Sequence, residues 1–302
     1  MRFRLDFGVF LFFGRYMRGA VKFWISSCFP LFILLSTPFS VSAETLDINV
    51  ATYNLRLNVP EDGINRWSNR KEMVQSLVRF HEFDIFGTQE GLIDQITDLA
   101  EMREYSFVGA GRDDGLHAGE HSAIFYKNTR FELLKHGDFW LSQTPDRPSL
   151  GWDAVCCKRV ASWAKFRDLA AKKDFYFFSV HFDHQGVQAR RESAKLMIQK
   201  IHEIAGESMV VFVGDLNSTP DTEQVQNIQA ALHDASVISM TPPYGPVATF
   251  NGFRFDIAPI ARIDYIFVSD HVRVAKYGVL TDSKEQRYPS DHFPVMARIS
   301  FF

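Results

Sequence analysis

From residue 44 onward, short runs of β-branched and aromatic residues alternate with stretches of helical period. Leu46–Tyr53 (LDINVATY) alternates apolar and polar positions, as a strand with one packed face does. Ser68–Phe80 has helical spacing, with Met73, Leu77 and Phe80 expected on one face and Ser68 as N-cap. Asp84–Thr88 and Ser208–Gly214 are short apolar runs bounded by polar residues, the pattern of buried strands. His121–Lys127, Phe131–Leu141, Val160–Asp168 and Phe175–Phe182 read as strands of antiparallel meanders. Ala189–Ile204 and Thr222–Ala231 read as amphipathic helices. Ile263–Ser269, Val272–Leu280 and Pro294–Ser300 close the chain as strands.

A weak repetition organises these elements. A strand ending in Asn54 leads through a helix to a strand ending in Gln89-Glu90; a strand ending in His181 leads through a helix to one ending in Asp215 and Asn217. Two such units predict an α/β chain with two sheets packed face to face and helices on the outer faces. The polar strand ends would then meet along one edge, where sites collect in such folds. No linker interrupts residues 44–302, which read as one domain.

The leader changes the picture of where the domain works. A basic stretch closed by Lys22, an apolar run from Phe23 to Leu35 and the small residues Val41-Ser42-Ala43 predict a signal peptide over residues 1–43, with Met17 as an alternative start. The apolar run is shorter than the roughly 20 residues of a membrane span, which disfavours an uncleaved anchor. The expectation is an exported, periplasmic or secreted protein without stable membrane association after cleavage, and monomeric. Five of the 33 basic and one of the 36 acidic side chains lie in that leader, leaving 28 basic against 35 acidic groups in the body. A net charge of −7 argues against a protein that coats nucleic acid by charge alone, and 46% hydrophobic content excludes a disordered chain. The two cysteines left after cleavage, Cys156 and Cys157, are neighbours. Ordinary disulfides need a wider Cα separation, so the expectation is an unbridged pair near a loop–strand junction, a soft-metal pair being the other reading.

Candidate chemistry collects at the expected strand ends: Asn54 in Thr52-Tyr53-Asn54-Leu55-Arg56, Glu90 after Gln89, His181 in His181-Phe182-Asp183-His184, Asp215 and Asn217 in Gly214-Asp215-Leu216-Asn217, Asp264 in Arg262-Ile263-Asp264-Tyr265, and Asp291 with His292 in Ser290-Asp291-His292. Each fragment alone is weak; the ordered set is specific. Over Asp47–Ile299 the chain resembles the metal-dependent endonuclease/exonuclease/phosphatase superfamily, the fold of secreted deoxyribonucleases. The resemblance implies a four-layer α/β/β/α sandwich with the site at one edge.

The resemblance also implies roles. Hard oxygen ligands suit Mg²⁺ or Mn²⁺. Glu90 would be the main ligand, Asn54 would contribute directly or through water, and Asp291 would be a second ligand. Asp215 would orient or deprotonate the attacking water, and Asn217 would hold that water or a phosphoryl oxygen. His292, oriented by Asp264, would contact the phosphate. His181 would bind a phosphoryl oxygen or protonate the leaving group, with Glu120 orienting it. Substrate contacts are expected from Arg56 as a phosphate clamp, from Arg112 on a Gly-punctuated loop, and from Asp183 and His184. Trp140, Trp152 and Trp163 read as core before they read as stacking platforms. Phe250–Phe255 reads as a lip of the site.

The reading is therefore a divalent-metal-dependent phosphoesterase that cleaves a phosphodiester of nuclease type, in DNA or RNA fragments, by in-line attack of an activated water. The alternative enzyme is a phosphomonoesterase acting on a small phosphorylated metabolite or sugar. The alternative outside catalysis, a binding module that lost its chemistry, is disfavoured because all the central residues are present.

Overall fold

The computed structural model describes Leu11, Gly14 and residues 47–302. The chain divides into two units, residues 1–43 and residues 44–302. Apart from Leu11 and Gly14, the expected signal peptide, with Met17, lies outside the described residues. Among the described residues no helix is long and apolar enough to cross a membrane.

Among the described residues, twelve strands and five α-helices follow in the order β1 (Ile48–Asn54), α1 (Lys71–Phe80), β2 (Ile85–Gln89), α2 (Ile93–Ala100), β3 (Tyr105–Val108), β4 (Ile124–Lys127), β5 (Phe131–Trp140), β6 (Val160–Asp168), β7 (Lys173–His181), α3 (Val187–Ala205), β8 (Val210–Asp215), α4 (Glu223–Ala231), β9 (His233–Asp234), α5 (Ala235–Ile238), β10 (Asp264–Val268), β11 (Val272–Val279) and β12 (Val295–Phe301). They form two six-stranded mixed sheets, ordered β11-β12-β1-β2-β4-β3 and β5-β6-β7-β8-β10-β9.

The alternation along single strands explains the layering. In β1, Ile48 and Val50 enter the layer between the sheets, while Ala51 and Tyr53 turn toward α1 and α2. In β8, Val211 and Val213 face the same inter-sheet layer, while Val210 and Phe212 pack under α3 and α4. A strand buried on both faces is mostly apolar, as the run of β8 is. Strand β1, expected from its alternation to have one packed face, is also buried on both, its polar Asn49 and Thr52 being hydrogen-bonded to the Glu82 carbonyl and to Gln89. The helices cover the outer faces with Val74, Leu77 and Val78 of α1, Ile96 and Leu99 of α2, Met197 and Ile201 of α3, and Val225 and Ile228 of α4. The result is the expected four-layer α/β/β/α sandwich.

Three local expectations are corrected. Helix α1 begins at Lys71, and Ser68 sits in a preceding 3-10 turn, so it is not the cap. The buried face runs through Val74, Leu77 and Val78; Phe80 lies on the flank beyond it and is 79% exposed. The segment after His121 is not part of the meander: β4 pairs with β2 and β3 in one sheet, and only β5, β6 and β7 form a meander in the other. The third concerns the cysteines. Cys156 and Cys157 are joined in a disulfide, with Cα atoms 3.7 Å apart. The usual separation describes cysteines on different stretches of chain; a neighbouring pair closes a small ring through its own peptide bond instead.

The close approach of the sheets is set at Gly87 in the centre of β2. A Cβ there would meet Ser179 Oγ and Val213 Cγ2 of the facing sheet at 2.6 Å each. Gly87→Ala is expected to lower stability by about 1–3 kcal/mol, the usual cost of overpacking, and Gly87→Val by more. Urea denaturation checks this; an unchanged midpoint for the alanine variant would show that the sheets can separate there at no cost.

Candidate active site at the shared strand edge

Strand register brings the polar ends together. The parallel pair β1/β2 sets Asn54 beside Gln89, so Glu90 follows at the same edge. The parallel pair β7/β8 sets His181 beside Asp215, and the antiparallel pair β8/β10 sets Asp264 on the other side of Asp215. Three chemical groups thus stand on adjacent strands of one sheet. The loop before β12 adds Asp291 and His292. It is tied to the end of β1 by Ser290 Oγ, which donates to the Asn54 carbonyl at 2.7 Å, and by buried Arg70, which donates to the Arg56 and Pro289 carbonyls at 2.7 and 2.9 Å. The cleft between these ends holds about 460 Å³ and is lined by Arg56, Glu90, His181, Asp215, Asn217, Asp291 and His292 among others.

Backbone strain accumulates where the strands stop. Arg56, Glu90 and Asn217 have φ of 55°, 62° and 45°, a left-handed conformation that costs non-glycine residues energy. Side chains hold it in place. Asn54 Oδ1 accepts from the Arg56 N–H at 2.9 Å, and Asp215 Oδ1 accepts from the Asn217 N–H at 2.8 Å. Glu90 Oε2 accepts from the Leu57 N–H at 3.1 Å. These turns point each side chain back into the cleft.

The carboxylates are crowded. Asn54 Nδ2 bridges Glu90 Oε1 and Asp215 Oδ2 at 3.0 Å each. Burial, then the neighbouring Asp264 carboxylate, pushes the Asp215 carboxyl above its ordinary range. Burial, then Glu90, pushes Asp291 up to about 6. Donor atoms of Glu90, Asp215 and His292 lie within 4.8 Å of one another. Oxygen donors that repel one another at this range fit a hard divalent cation, which would relieve the crowding. Asn54 braces these carboxylates through Nδ2, while its Oδ1 accepts from the Arg56 amide; Asp291 flanks the cluster and faces Arg56 Nε at 3.9 Å.

The two histidines are held in opposite ways. His292 Nδ1 lies 2.9 Å from Asp264 Oδ2, which also accepts from Thr249 Oγ1. Burial opposes its charge, yet Asp264, Asp215 and Asp291 together raise its pKa well above 6.5. His181 was expected to lean on Glu120. Glu120 Oε2 is 3.6 Å from His181 Nδ1, but the nearer group is Arg159, whose Nη1 donates to Nδ1 at 3.0 Å. Burial and then this guanidinium push the pKa of His181 down to about 3. The ring is neutral with Nδ1 as acceptor, so its proton sits on Nε2. A cationic His181 able to protonate a leaving group is therefore not what the structure holds. Nε2 faces Asp215 Oδ2 at 3.6 Å; Asn217 Nδ2, itself a donor, lies 3.0 Å from Nε2 and donates to the Phe182 carbonyl at 3.1 Å.

Other expected substrate groups separate. Arg56 lines the cleft, with Asp62 binding its guanidinium through two contacts of 2.9 Å. His184 also lines it, 2.7 Å from Arg159 Nη2. Arg112 does not reach the cleft: it is spent on Glu120 at 2.6 Å, beneath His181. Asp183 does not either, because it turns inward to accept from the Gln185 and Gly186 N–H groups at 2.9 and 2.6 Å. Trp140 and Trp163 are buried, and Phe250 forms the lip, edge-on to the His292 ring at 5.0 Å. Sequence reading missed Arg159, a buried cation just before β6 whose spacing from His181 carries no motif. It also missed Arg70, Thr249 and Ser290, which act through backbone carbonyls or through Asp264.

The Asp264–His292 pair generates a prediction. A raised His pKa contributes stability in full below the ordinary value of 6.5 and loses it as pH rises through the folded pKa. In Asp264→Asn the opposing effect of burial remains, so the His292 pKa should fall. Imidazole NMR titration of the metal-free protein checks this; an unmoved His292 would assign its charge to Asp215 and Asp291 instead.

Comparison with known proteins gives a consistent answer. The model of the Endonuclease/Exonuclease/phosphatase family matches residues 51–292. An endonuclease/exonuclease/phosphatase family protein from Bacteroides thetaiotaomicron is 40% identical and superposes with a TM-score of 0.82, over 85% of this chain and 98% of that one. A mannosyl-6-phosphatase from the same organism is 40% identical with a TM-score of 0.80, over 84% of this chain and 100% of that one. The uncharacterized protein L388 of Acanthamoeba polyphaga mimivirus is 27% identical over 169 residues, 51% of this chain and 60% of its own length. The chain spans about half the length of the curated relatives it matches. With a family model over about four-fifths of its residues and a shared fold at 40% identity, the chain belongs to the endonuclease/exonuclease/phosphatase family of phosphate-ester hydrolases.

Proposed function

We propose that this protein is a divalent-metal-dependent phosphomonoesterase acting on a small phosphorylated metabolite of the sugar-phosphate kind. The main support is the cleft itself. At about 460 Å³ it falls in the range of small-molecule sites, roughly 300–1,000 Å³, and the acidic body around it repels long polyanions. The 40% identity to a mannosyl-6-phosphatase points the same way. The leader and the Cys156–Cys157 disulfide suit a protein that works in an oxidising compartment outside the cytoplasm.

Glu90 would hold the cation, Mg²⁺ or Mn²⁺, with Asp291 beside it. A bound divalent ion supplies charge neutralisation for the phosphoryl oxygens. The remaining work belongs to the chain. Asp215, held by Asn54 Nδ2 at 3.0 Å and by the Asn217 N–H at 2.8 Å, takes the proton of the attacking water. His292, kept cationic by Asp264, donates to a phosphoryl oxygen and stabilises the charge that builds there. Neutral His181 donates from Nε2, steered by Arg159. Arg56 clamps the phosphate from the facing wall.

Asp215→Asn should lose about 10²–10⁴-fold in turnover, the range of a general base. Glu90→Ala should weaken metal binding and recover part of its activity in excess Mn²⁺, whereas His292→Ala should lose turnover with metal binding nearly intact. Titration with Mn²⁺ beside rate measurements separates the two; equal metal loss in both would make His292 a ligand. The substrate class is tested with mannose 6-phosphate and bis(p-nitrophenyl) phosphate in Mg²⁺. Phosphate release from the monoester, absent in Asp215→Asn, is expected. Turnover of the diester alone would overturn the reading in favour of a nuclease-type enzyme.

A further inference from the structure

The segment between β5 and β6 walls one side of the cleft, and its chemistry differs from the rest of the site. Cys156 is exposed and Cys157 is half-buried, and Cys157 lines the cleft beside His184 and Arg159. Phe250, Ile263 and Leu57 also line that cleft. The disulfide is not on a free loop. On one side of it, Asp153 accepts from the N–H groups of Gln188 and Ala189 at 3.0 and 2.6 Å, at the first turn of α3. On the other, Lys158 Nζ donates to the Asp113 carbonyl at 2.8 Å, and Arg159 is buried against His181 and His184. The pair is thus presented at a fixed place on the rim.

A disulfide offers no hydrogen-bond donor and a soft, weakly polar face. The groups that would meet a phosphate are all charged or strongly polar, and they crowd the strand ends. What remains for the alcohol portion of a substrate is a rim with apolar patches, of which the disulfide is one. A hexose ring has an apolar face made of C–H groups as well as an edge of hydroxyls. His184, exposed beside Cys157, offers a polar partner for that edge.

We propose that the Cys156–Cys157 disulfide is a specificity platform, on which the C–H face of a hexose phosphate rests while its phosphate enters the carboxylate–histidine cluster. This rests on the phosphomonoesterase reading above. The platform discriminates by ring contact and leaves the chemistry at phosphorus untouched, so its signature is selective loss on ring-bearing substrates.

The test compares the parent protein, the Cys156→Ser/Cys157→Ser double variant, and the parent reduced with dithiothreitol and desalted. In that reduction the S–S bond breaks, two thiols form and dithiothreitol leaves as its cyclic disulfide; a thiol count of two per pair verifies it. Each sample is assayed with mannose 6-phosphate and with methyl phosphate, which has the same kind of leaving oxygen and no ring. The expected result is a rise of about ten-fold in KM for mannose 6-phosphate, with kcat/KM for methyl phosphate within about two-fold of the parent. Equal losses on both substrates would make the disulfide a brace for Arg159 and overturn the proposal, as would no change on either. If the double variant does not fold, the reduced parent decides the matter alone. A parent that turns over neither monoester overturns the phosphomonoesterase reading itself, and that failure is visible before any cysteine is changed.

Discussion

Strand register is the constraint on which the rest of this molecule depends. His181, Asp215 and Asp264 are neighbours because β7, β8 and β10 pair residue against residue, and Asn54 meets Gln89 because β1 and β2 do the same. A slip of one residue would turn every side chain of a strand to the opposite face. Here both faces are buried, so a slip would exchange the residues that fit between the sheets for those that fit under the helices. Core packing therefore sets the site geometry. Gly87 belongs to the same constraint, since a Cβ there would meet Ser179 and Val213 of the facing sheet at 2.6 Å.

On that frame the site stores unfavourable terms. Four acidic groups and two imidazoles are confined at one edge, and three residues there adopt left-handed backbone. Such strain persists only where the surroundings over-determine it. The Asx-type turns at Asn54 and Asp215 and the clamp of Arg70 on the loop carbonyls do so. The two histidines show how environment assigns roles to identical side chains. Neighbouring carboxylates raise the His292 pKa against its burial, while burial and then the Arg159 guanidinium lower that of His181. A phosphate ester presents oxygens to both, and each can donate a hydrogen bond, one from a charged ring and one from a neutral ring.

The site was legible where it coincided with strand ends. Asn54, Glu90, His181, Asp215, Asn217, Asp264, Asp291 and His292 all reach the cleft or its immediate support. The expectations that needed correction share a cause. Arg112 was expected at the cleft from its Gly-punctuated loop and Asp183 from its place just after His181, but each is taken up by a nearer partner, Glu120 or the backbone of the following turn. Phe80 matched a helical stripe whose true centre lies about a quarter-turn away, at Val74, Leu77 and Val78. Glu120 is at the right place, yet Arg159 is closer to His181.

By itself the sequence determined the layered α/β architecture, because hydrophobic period and polar strand termini are encoded within a few residues of each position. It also determined which polar residues would stand at the site edge, since a strand end is a local event. Only the tertiary structure decided which of these groups touch, which carboxylate or guanidinium each histidine meets, that Arg159 rather than Glu120 holds His181, and that Cys157 of a bridged neighbouring pair lines the cleft. Those outcomes turn on ångström-scale distances between residues far apart in the chain. Ion pairing and desolvation change over such distances, and local sequence patterns do not report them.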